Sequence, residues 1–351
     1  MIRISPPVFD GHNDTLSHIM RKADGRAGVF ANDIIGAVDF PKAQTGGFAG
    51  GLFAVWVPSH STQMEKDEEM LQDVYDIPLP KKVAQKKALN CVMKQLGILF
   101  ELESQGFLRV ARSVHEIRNA IASEKIAAVF HLEGAEAIGP DFAVLDELYA
   151  TGLRSVGLVW SRPNAFGHGV PFRFPSSPDT GKGLTTLGRN LVHRCNELRI
   201  MVDVSHLTEA GFWDVANLSD APLVASHSNV HNICPHSRNL TDEQLRTIAE
   251  SGGLIGVNFA VVLLRSDGKL IDEVPISCLL SHLDYLIDTV GDNHVAFGSD
   301  YNGAVVPREL KTVANLPSLR QSMVDHGYSN ELVEKLCYRN WLRVLEETWG
   351  Y

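Results

Sequence analysis

Length, composition and charge are those of an ordinary globular protein. The chain has 351 residues and a formal net charge of −10, with 44% hydrophobic and 21% charged residues. No cluster of Lys or Arg stands out, so the sequence excludes nucleic acid as a partner. No apolar run reaches the length of about 18 residues that predicts a membrane span.

The five cysteines are far apart and form no Cys-x-x-Cys pair. This spacing argues against a disulfide framework and favours a reducing compartment. The opening segment has no apolar run of signal-peptide length. We therefore expect a cytoplasmic protein that does not associate with a membrane.

Short apolar, β-rich runs alternate with longer helix-like segments, without an internal repeat or a low-complexity linker. The apolar runs are 7–11, 51–57, 126–132, 154–160, 199–204, 222–226, 253–259 and 294–298. Near-continuous apolar strands that alternate with helices predict a parallel sheet, and eight of them predict a (β/α)8 TIM barrel. We expect one α/β domain that spans residues 1–351.

Helix-like segments between the runs include 81–105, 186–198 and 241–250. The last of these begins with Thr241 and has Gln244 three residues later, which is the capping-box pattern. A doubly wound fold would instead need a glycine-rich phosphate turn after the first strand, where the chain reads Gly-His-Asn-Asp at 11–14. The sequence therefore favours the barrel.

Imidazole and carboxylate groups follow five of the predicted strands. They are His12 and Asp14 after the first, Glu133 and Glu136 after the third, Asp203 and His206 after the fifth, His227 after the sixth and Asp300 after the eighth. The carboxyl ends of barrel strands share one face, where the chemistry of such barrels takes place. Two imidazoles, a carboxylate and an open position make a catalytic zinc site, and a bridging carboxylate would allow two ions. A single such residue would indicate little, whereas the joint pattern is specific.

Two interpretations stay open for the roles of some histidines and of one aspartate. Asp203 is either a ligand or a partner that orients His206. By strand alternation His131 shares a face with Glu133, so it either lines the site or is a hydrogen-bonded interior histidine, with the interior role slightly favoured. His231 and His236, which flank the loop after the sixth strand, stay ambiguous.

The motifs DGHND, EGAE, DVSHL, ASHSNV, HSRNLTDEQL and FGSDYNG resemble the renal (membrane) dipeptidase family of zinc dipeptidases, in the amidohydrolase superfamily. The resemblance covers residues 10–302 and implies two Zn²⁺ ions and, more weakly, a homodimer. The residue roles that it implies are His12 and Asp14 on one ion, His206 and His227 on the second, Glu133 bridging both, Asp300 as acid/base and Arg238 for the substrate's free carboxylate. A guanidinium suits that last task because its fork matches a carboxylate.

The chain departs from the familiar animal enzymes at its fourth strand. Those enzymes carry a histidine there that contacts the substrate and helps to stabilise the oxyanion, and here the position is Trp160. His168 or Asn164 in the following loop could substitute for it. The family's second aspartate after the eighth strand is Asn302 here. The loop 162–183 is either a specificity lid or an ordinary surface loop.

Our hypothesis is hydrolysis of a dipeptide by a metal-bridging hydroxide, with Glu133 and Asp300 as the catalytic carboxylates. Asp300 would take the proton of the water and return it to the leaving amine. The first alternative is another binuclear-metal amidohydrolase on this scaffold, acting on N-acyl amino acids, lactones or phosphoesters. A non-catalytic metal-binding barrel and a nicotinamide-dependent barrel are less favoured, the latter because a phosphate-binding glycine run is missing.

Overall fold

The computed structural model describes residues 6–22, 25, 27–31, 36–59 and 67–350. In this part of the chain eight parallel strands form a nearly closed barrel. In chain order the barrel strands are Val8–Asn13, Phe48–Trp56, Ile126–Glu133, Leu153–Gly157, Met201–Asp203, Val224–Ala225, Leu254–Val257 and Val295–Phe297. Each strand pairs in parallel with the next one along the chain.

Backbone hydrogen bonds close the barrel between its first and eighth strands. The amide of Asp300 donates to the carbonyl of His12 at 3.0 Å, and the amide of Asp14 donates to the carbonyl of Tyr301 at 2.8 Å. The predicted (β/α)8 barrel is confirmed. The closing bonds involve residues of the proposed site itself, so barrel closure and site geometry depend on the same few peptide groups.

The strand bounds follow the predicted runs to within three residues at each end. The second strand begins earlier, at Phe48, the fourth ends at Gly157 and the sixth has only two residues, Val224–Ala225. A short strand that the sequence did not reveal, Leu108–Val110, pairs in parallel with the start of the third strand. Three residues are too few to show a periodic pattern.

The predicted helices are present. The first runs over Gln85–Ser104 instead of 81–105, the second over Thr186–Leu198 and the third over Asp242–Glu250. Thr241 caps the third helix, and the reciprocal capping box with Gln244 is formed. Within the described ranges, no helix is both long enough and apolar enough to cross a membrane.

Apolar side chains fill the amino-terminal half of the barrel. Phe9, Leu52 and Val129 belong to a fully buried cluster that also contains Trp341 of the helix Asn340–Trp349. Trp341 donates from Nε1 to the carbonyl of Phe297 at 2.9 Å. A Cβ atom at Gly11 would lie 2.4 Å from the Trp341 ring, so glycine is required for this packing. The floor of the barrel is therefore apolar, and the polar residues collect at its other end.

The segment after the fourth strand is an ordered part of the barrel mouth. Within it the strand Phe172–Phe174 pairs antiparallel with Tyr75–Ile77. The amide of Val170 donates to the carbonyl of His206 at 2.9 Å, which ties the loop to the end of the fifth strand. The loop 162–183 thus packs against the proposed site, and its role as a specificity lid stays a prediction.

Candidate metal centre

The first and third strands bring one imidazole between two carboxylates. His12 Nε2 lies 3.5 Å from Asp14 Oδ2 and 3.6 Å from Glu133 Oε2. All three side chains are buried. The buried His12 side chain has no hydrogen-bond partner for either ring nitrogen in the described part of the chain.

The fifth and sixth strands add two more imidazoles to the other oxygen of the same glutamate. Glu133 Oε1 lies 3.1 Å from His206 Nε2 and 3.8 Å from His227 Nε2. The two Nε2 atoms lie 3.0 Å apart. Glu133 therefore faces His12 with one oxygen and the histidine pair with the other, as a bridging carboxylate must.

The residues present fit a bound cation. Two groups have ligand atoms that all lie within 4.8 Å of one another, namely His12, Glu133 and His227, and His12, Asp14 and Asp300. Imidazole nitrogen and carboxylate oxygen are the donors of catalytic zinc sites. A Cβ atom at Gly303 would lie 2.2 Å from Asp14 Oδ2 and 2.4 Å from Asp300 Oδ1, so only glycine leaves room for the two carboxylates.

The charges of the cluster shift the pKa values of its members. Burial raises the pKa of Glu133 to about 7, although His12 opposes the rise. Burial alone would lower the pKa of His12, but the Glu133 and Asp14 carboxylates outweigh it, so that the pKa is raised. Burial lowers the pKa of His206 and of His227 well below the usual value. A divalent cation binds imidazole in its neutral form and stabilises the negative charge of buried carboxylates, so this cluster suits such an ion.

Two residues of the cluster have a strained backbone. The φ angle is 65° at His206 and 61° at Asp300, in the left-handed region that residues with a side chain rarely adopt. Such a conformation costs about 1–3 kcal/mol and is typical of functional sites. Both residues lie three positions beyond the ends of their strands, at the carboxyl face of the barrel.

Asp300 and Arg238 lie beside the cluster. Asp300 is half-buried, and its Oδ2 accepts a hydrogen bond from Asn258 Nδ2 at 3.0 Å. Burial raises the pKa of Asp300. Arg238 is buried and donates to the carbonyl of His227 at 3.1 Å and to Ser228 Oγ at 3.2 Å, while its Nε has no partner among the described residues. Burial lowers the pKa of Arg238 to about 10, against the pull of the nearby carboxylates.

Asn258 is a site residue that the sequence interpretation missed. It follows the seventh strand directly, as His227 follows the sixth, and its amide also donates to the carbonyl of His227 at 3.4 Å. A polar residue at the end of an apolar run was a usable signal. Its amide did not match the pattern of imidazole and carboxylate groups from which the site was predicted.

An aromatic wall borders the histidine pair, and Trp160 is its centre. The Trp160 ring lies 5.9 Å from His206, 5.1 Å from Trp56 and 6.3 Å from Phe172, measured between ring centroids. Phe172 lies 6.4 Å from His206. Trp160 and Phe172 are half-buried, so this wall offers apolar surface at the barrel mouth.

The two suggested substitutes for the missing histidine differ. Asn164 Oδ1 accepts from the amides of Phe166 and Gly167, and its Nδ2 donates to the carbonyl of Leu158 at 2.7 Å. Both polar atoms of Asn164 therefore hold the backbone of its own loop, as expected of a residue that stabilises this loop. His168 is half-buried in the same loop, and its role stays a prediction.

The histidines for which two interpretations stayed open have hydrogen-bond partners in the structure. His131 Nδ1 pairs with Ser155 Oγ at 2.8 Å, as expected of an interior histidine, and burial lowers its pKa to about 4. His231 Nε2 lies 3.0 Å from the carbonyl of Ser176, and His236 Nδ1 accepts from the amide of Arg238 at 3.0 Å.

Asp203 and Asn302 hold structure around the site. Asp203 accepts from the amide and the hydroxyl of Ser226, so it acts beside His227 and not through His206 as one interpretation suggested. Asn302 accepts from the amide of Ala37 at 2.7 Å. It therefore holds the segment around Ala37 against the end of the eighth strand.

A buried ion pair lies next to Trp160 of the aromatic wall. Arg162 donates from Nε and Nη2 to Glu136 Oε1 at 3.0 and 2.9 Å, and the side chains of both residues are fully buried. Arg162 Nη1 also donates to the carbonyl of Val57 at 3.0 Å, which joins the ends of the second and fourth strands. Its guanidinium carbon lies 5.6 Å from the Trp160 ring.

Arg162→Met is expected to lower the free energy of unfolding by about 3–5 kcal/mol, because it leaves the Glu136 carboxylate buried without its partner. Urea denaturation measures the change. The control is Arg118→Met, which breaks a 2.9 Å pair with Glu346 in which the arginine side chain is 52% exposed. That loss should be about 1 kcal/mol or less. Equal effects of the two substitutions would contradict a structural role for the buried pair.

Solved structures of peptidases share this architecture. A metallo-peptidase from Rhodobacter sphaeroides, liganded with a phosphinate mimic of the dipeptide L-Ala-D-Ala, has a TM-score of 0.96 and 47% identity over 98% of this chain and 100% of that chain. The dipeptidase AC, a metallo-peptidase of family M19, has a TM-score of 0.96 and 46% identity over 99% of this chain and 100% of that chain. An uncharacterized protein in the pqqA 5' region of Klebsiella pneumoniae is 44% identical over 74% of this chain and 97% of its own length.

A nearly closed parallel barrel with imidazoles and carboxylates converging at its carboxyl face fits the class of metal-dependent hydrolases. The sequence model of the membrane dipeptidase family, peptidase family M19, matches residues 2–349. The chain belongs to this family and is a metallo-dipeptidase, a hydrolase that acts on peptide bonds. The resemblance drawn from the sequence motifs is thereby confirmed.

Proposed function

We propose that the protein is a zinc dipeptidase that hydrolyses dipeptides with a free C-terminal carboxylate. Two Zn²⁺ ions would be held by His12 and Asp14 on one side and by His206 and His227 on the other, with Glu133 between them. The observation that supports this most is that the two carboxylate oxygens of Glu133 face different imidazoles. Oε1 lies 3.1 Å from His206 Nε2, and Oε2 lies 3.6 Å from His12 Nε2. Residues 1–351 would form one catalytic domain, and a homodimer and a cytoplasmic location stay predictions.

When bound, such ions lower the pKa of a coordinated water to near 7 and polarise the carbonyl of the peptide bond. The surrounding protein keeps the site dry on its inner side, because His12, Asp14 and Glu133 lie above the apolar barrel floor. The remaining chemistry belongs to side chains at the mouth.

Asp300 is proposed to move the proton. Its carboxylate is half-buried and therefore reachable by substrate, and Asn258 holds one of its oxygens. The other oxygen would accept the proton of the attacking water and pass it to the leaving amine. A raised pKa brings a carboxylate closer to the range in which it can both accept and donate at neutral pH.

Arg238 is proposed to bind the substrate's C-terminal carboxylate. It is buried and donates a hydrogen bond to the carbonyl of His227, so its positive charge lies next to the histidine pair. Among the described residues its Nε has no hydrogen-bond partner, which supports a role for this guanidinium in binding an anion. The related R. sphaeroides enzyme binds a mimic of L-Ala-D-Ala, which has a carboxylate at its C-terminal end. Trp160 and Phe172 would contact a side chain of the substrate.

A dipeptide library with L-L and L-D members, assayed with and without added Zn²⁺, tests the proposed activity. We expect hydrolysis of short peptides with a free carboxylate. The same panel should contain an N-acetyl amino acid and a lactone, because another binuclear-metal amidohydrolase would prefer these. Zinc binding without hydrolysis of any dipeptide would contradict the dipeptidase proposal while leaving the metal site intact.

Arg238→Ala should lower kcat/KM for a dipeptide by about 10- to 100-fold, which corresponds to the loss of a charge-assisted hydrogen bond. The wild-type protein should lose a similar factor when the dipeptide is amidated at its C-terminus. In the variant, acid and amide should be hydrolysed alike, because the group that distinguishes them is gone. The control is Arg173→Ala, which removes an arginine that pairs with Asp76 at 2.7 Å in the neighbouring ribbon. A variant that still prefers the acid would contradict this role.

A further inference from the structure

Two serine hydroxyls contact the histidine pair on the side away from Glu133. Ser226 Oγ lies 2.7 Å from His227 Nδ1, and Ser161 Oγ lies 2.9 Å from His206 Nδ1. Both hydroxyls are buried. We infer that both serines are positioning residues: Ser226 keeps the hydrogen of the His227 ring on Nδ1 and so leaves its Nε2 free to bind a metal ion, and Ser161 orients the His206 ring. The inference rests on the proposed metal centre and adds to it two serines that orient the metal-binding histidines.

The environment of Ser226 determines which atom donates. Asp203 Oδ1 accepts from the amides of Ser205 and Ser226 at 3.0 and 2.9 Å. Asp203 Oδ2 accepts the hydroxyl hydrogen of Ser226. Because a hydroxyl has one hydrogen, Ser226 Oγ can only accept from His227 Nδ1. The neutral imidazole then has its lone pair on Nε2, the atom that faces Glu133 and His206.

The rings of His206 and His227 differ in the strength of the hydrogen bonds that orient them. Within the described residues, no carboxylate backs the hydroxyl of Ser161, whereas the Asp203 carboxylate polarises Ser226. A hydrogen-bond chain that ends on a carboxylate is stronger than a single neutral bond. His227 should therefore be the more rigidly oriented of the two proposed ligands.

The same barrel contains a matched control. Ser155 Oγ contacts His131 Nδ1 at 2.8 Å, and both residues are fully buried. His131 is not among the proposed ligands, although it lies in the same interior. Ser155→Ala thus removes an equivalent serine–histidine contact without touching a metal-binding ring.

The experiment compares Ser226→Ala, Ser161→Ala and Ser155→Ala in the full chain. Metal-free protein is titrated with Zn²⁺ against a chromophoric chelator, and with Co²⁺ to record its visible spectrum. Loss of an outer partner of a metal-binding histidine typically costs about 10- to 100-fold in affinity. We expect that loss for Ser226→Ala, a smaller one for Ser161→Ala and none for Ser155→Ala, with a changed Co²⁺ spectrum only in the first two.

A second substitution separates orientation from side-chain loss. Asp203→Asn keeps the size of the side chain, but its amide can donate to Ser226 Oγ, which then turns its hydrogen toward His227 Nδ1. The favoured ring form would have its hydrogen on Nε2, and Zn²⁺ binding should weaken as in Ser226→Ala. Thermal unfolding of the metal-free variants shows whether each of them folds.

The outcomes distinguish the inference from the proposed function. Wild-type protein that binds no Zn²⁺ would overturn the metal centre itself. Wild-type protein that binds Zn²⁺, together with equal affinities for Ser226→Ala, Ser161→Ala and Ser155→Ala, would overturn the positioning role and leave the centre standing.

Discussion

Asp300→Asn is expected to lower kcat for a dipeptide by about 10²- to 10⁴-fold, the range that a general acid–base group contributes. An amide fills nearly the same volume but cannot take the proton of the water or return one to the amine. The hydrogen bond from Asn258, 3.0 Å from Asp300 Oδ2, can be kept after a flip of the new amide. KM should therefore change much less than kcat.

The position of Asp300 makes metal content the necessary control for this variant. Asp300 also forms a possible ligand group with His12 and Asp14. We expect the variant to retain two ions per chain, measured by elemental analysis. Loss of one ion together with activity would show that Asp300 is a ligand. Unchanged kcat with both ions present would rule out the acid–base role.

Removal of the metal with a chelator is expected to abolish hydrolysis and to lower the free energy of unfolding by about 3–4 kcal/mol for each ion, or about 5–8 kcal/mol for two, when the free ion concentration was roughly 100- to 1,000-fold above Kd. The physical reason is the crowding of carboxylates around His12. Without a cation, the buried Asp14 and Glu133 carboxylates share the imidazole of His12, and burial disfavours a positive charge on the two other imidazoles near Glu133.

Addition of Zn²⁺ should restore both activity and stability, whereas Mg²⁺ should restore neither, because Mg²⁺ prefers oxygen ligands and water. Thermal unfolding and dipeptide hydrolysis are measured on the same samples. Full activity in protein whose metal loss has been verified by elemental analysis would contradict the role of the metal centre in catalysis.

The sequence predicted a cluster of metal-binding side chains because the candidate residues lie directly after an apolar run or within three residues of its end. His12, Glu133 and His227 are polar residues at the carboxyl ends of buried strands, and a parallel barrel brings such ends together whatever the loops do. The bridging role of Glu133 was implied by the family resemblance, and the position of its strand between those of His12 and His206 around the barrel supports that proposal.

The supporting contacts could not be predicted in this way. The role of Asp203 depends on the register between the fifth and sixth strands, which places it against Ser226 and away from the His206 ring. The Arg162–Glu136 pair joins two loops, and neither residue differs in sequence from an exposed charge. Such contacts depend on tertiary geometry, for which strand periodicity carries no signal.

The aromatic wall shows the same limit. Trp160 could be recognised as a departure from the animal enzymes, but its neighbours Trp56 and Phe172 come from other segments of the chain. Phe172 belongs to a strand of three residues, too short to have a periodic pattern. The substitute for the missing histidine was sought in Asn164, whose amide proved to be engaged in its own turn.

Anomalous X-ray scattering recorded above and below the zinc absorption edge tests the central claim most directly. Crystals of protein purified without added metal should show two zinc peaks. One should be bounded by His12, Asp14 and Glu133, and the other by Glu133, His206 and His227. A single peak, or peaks away from Glu133, in protein that hydrolyses dipeptides would contradict a two-ion centre bridged by this residue.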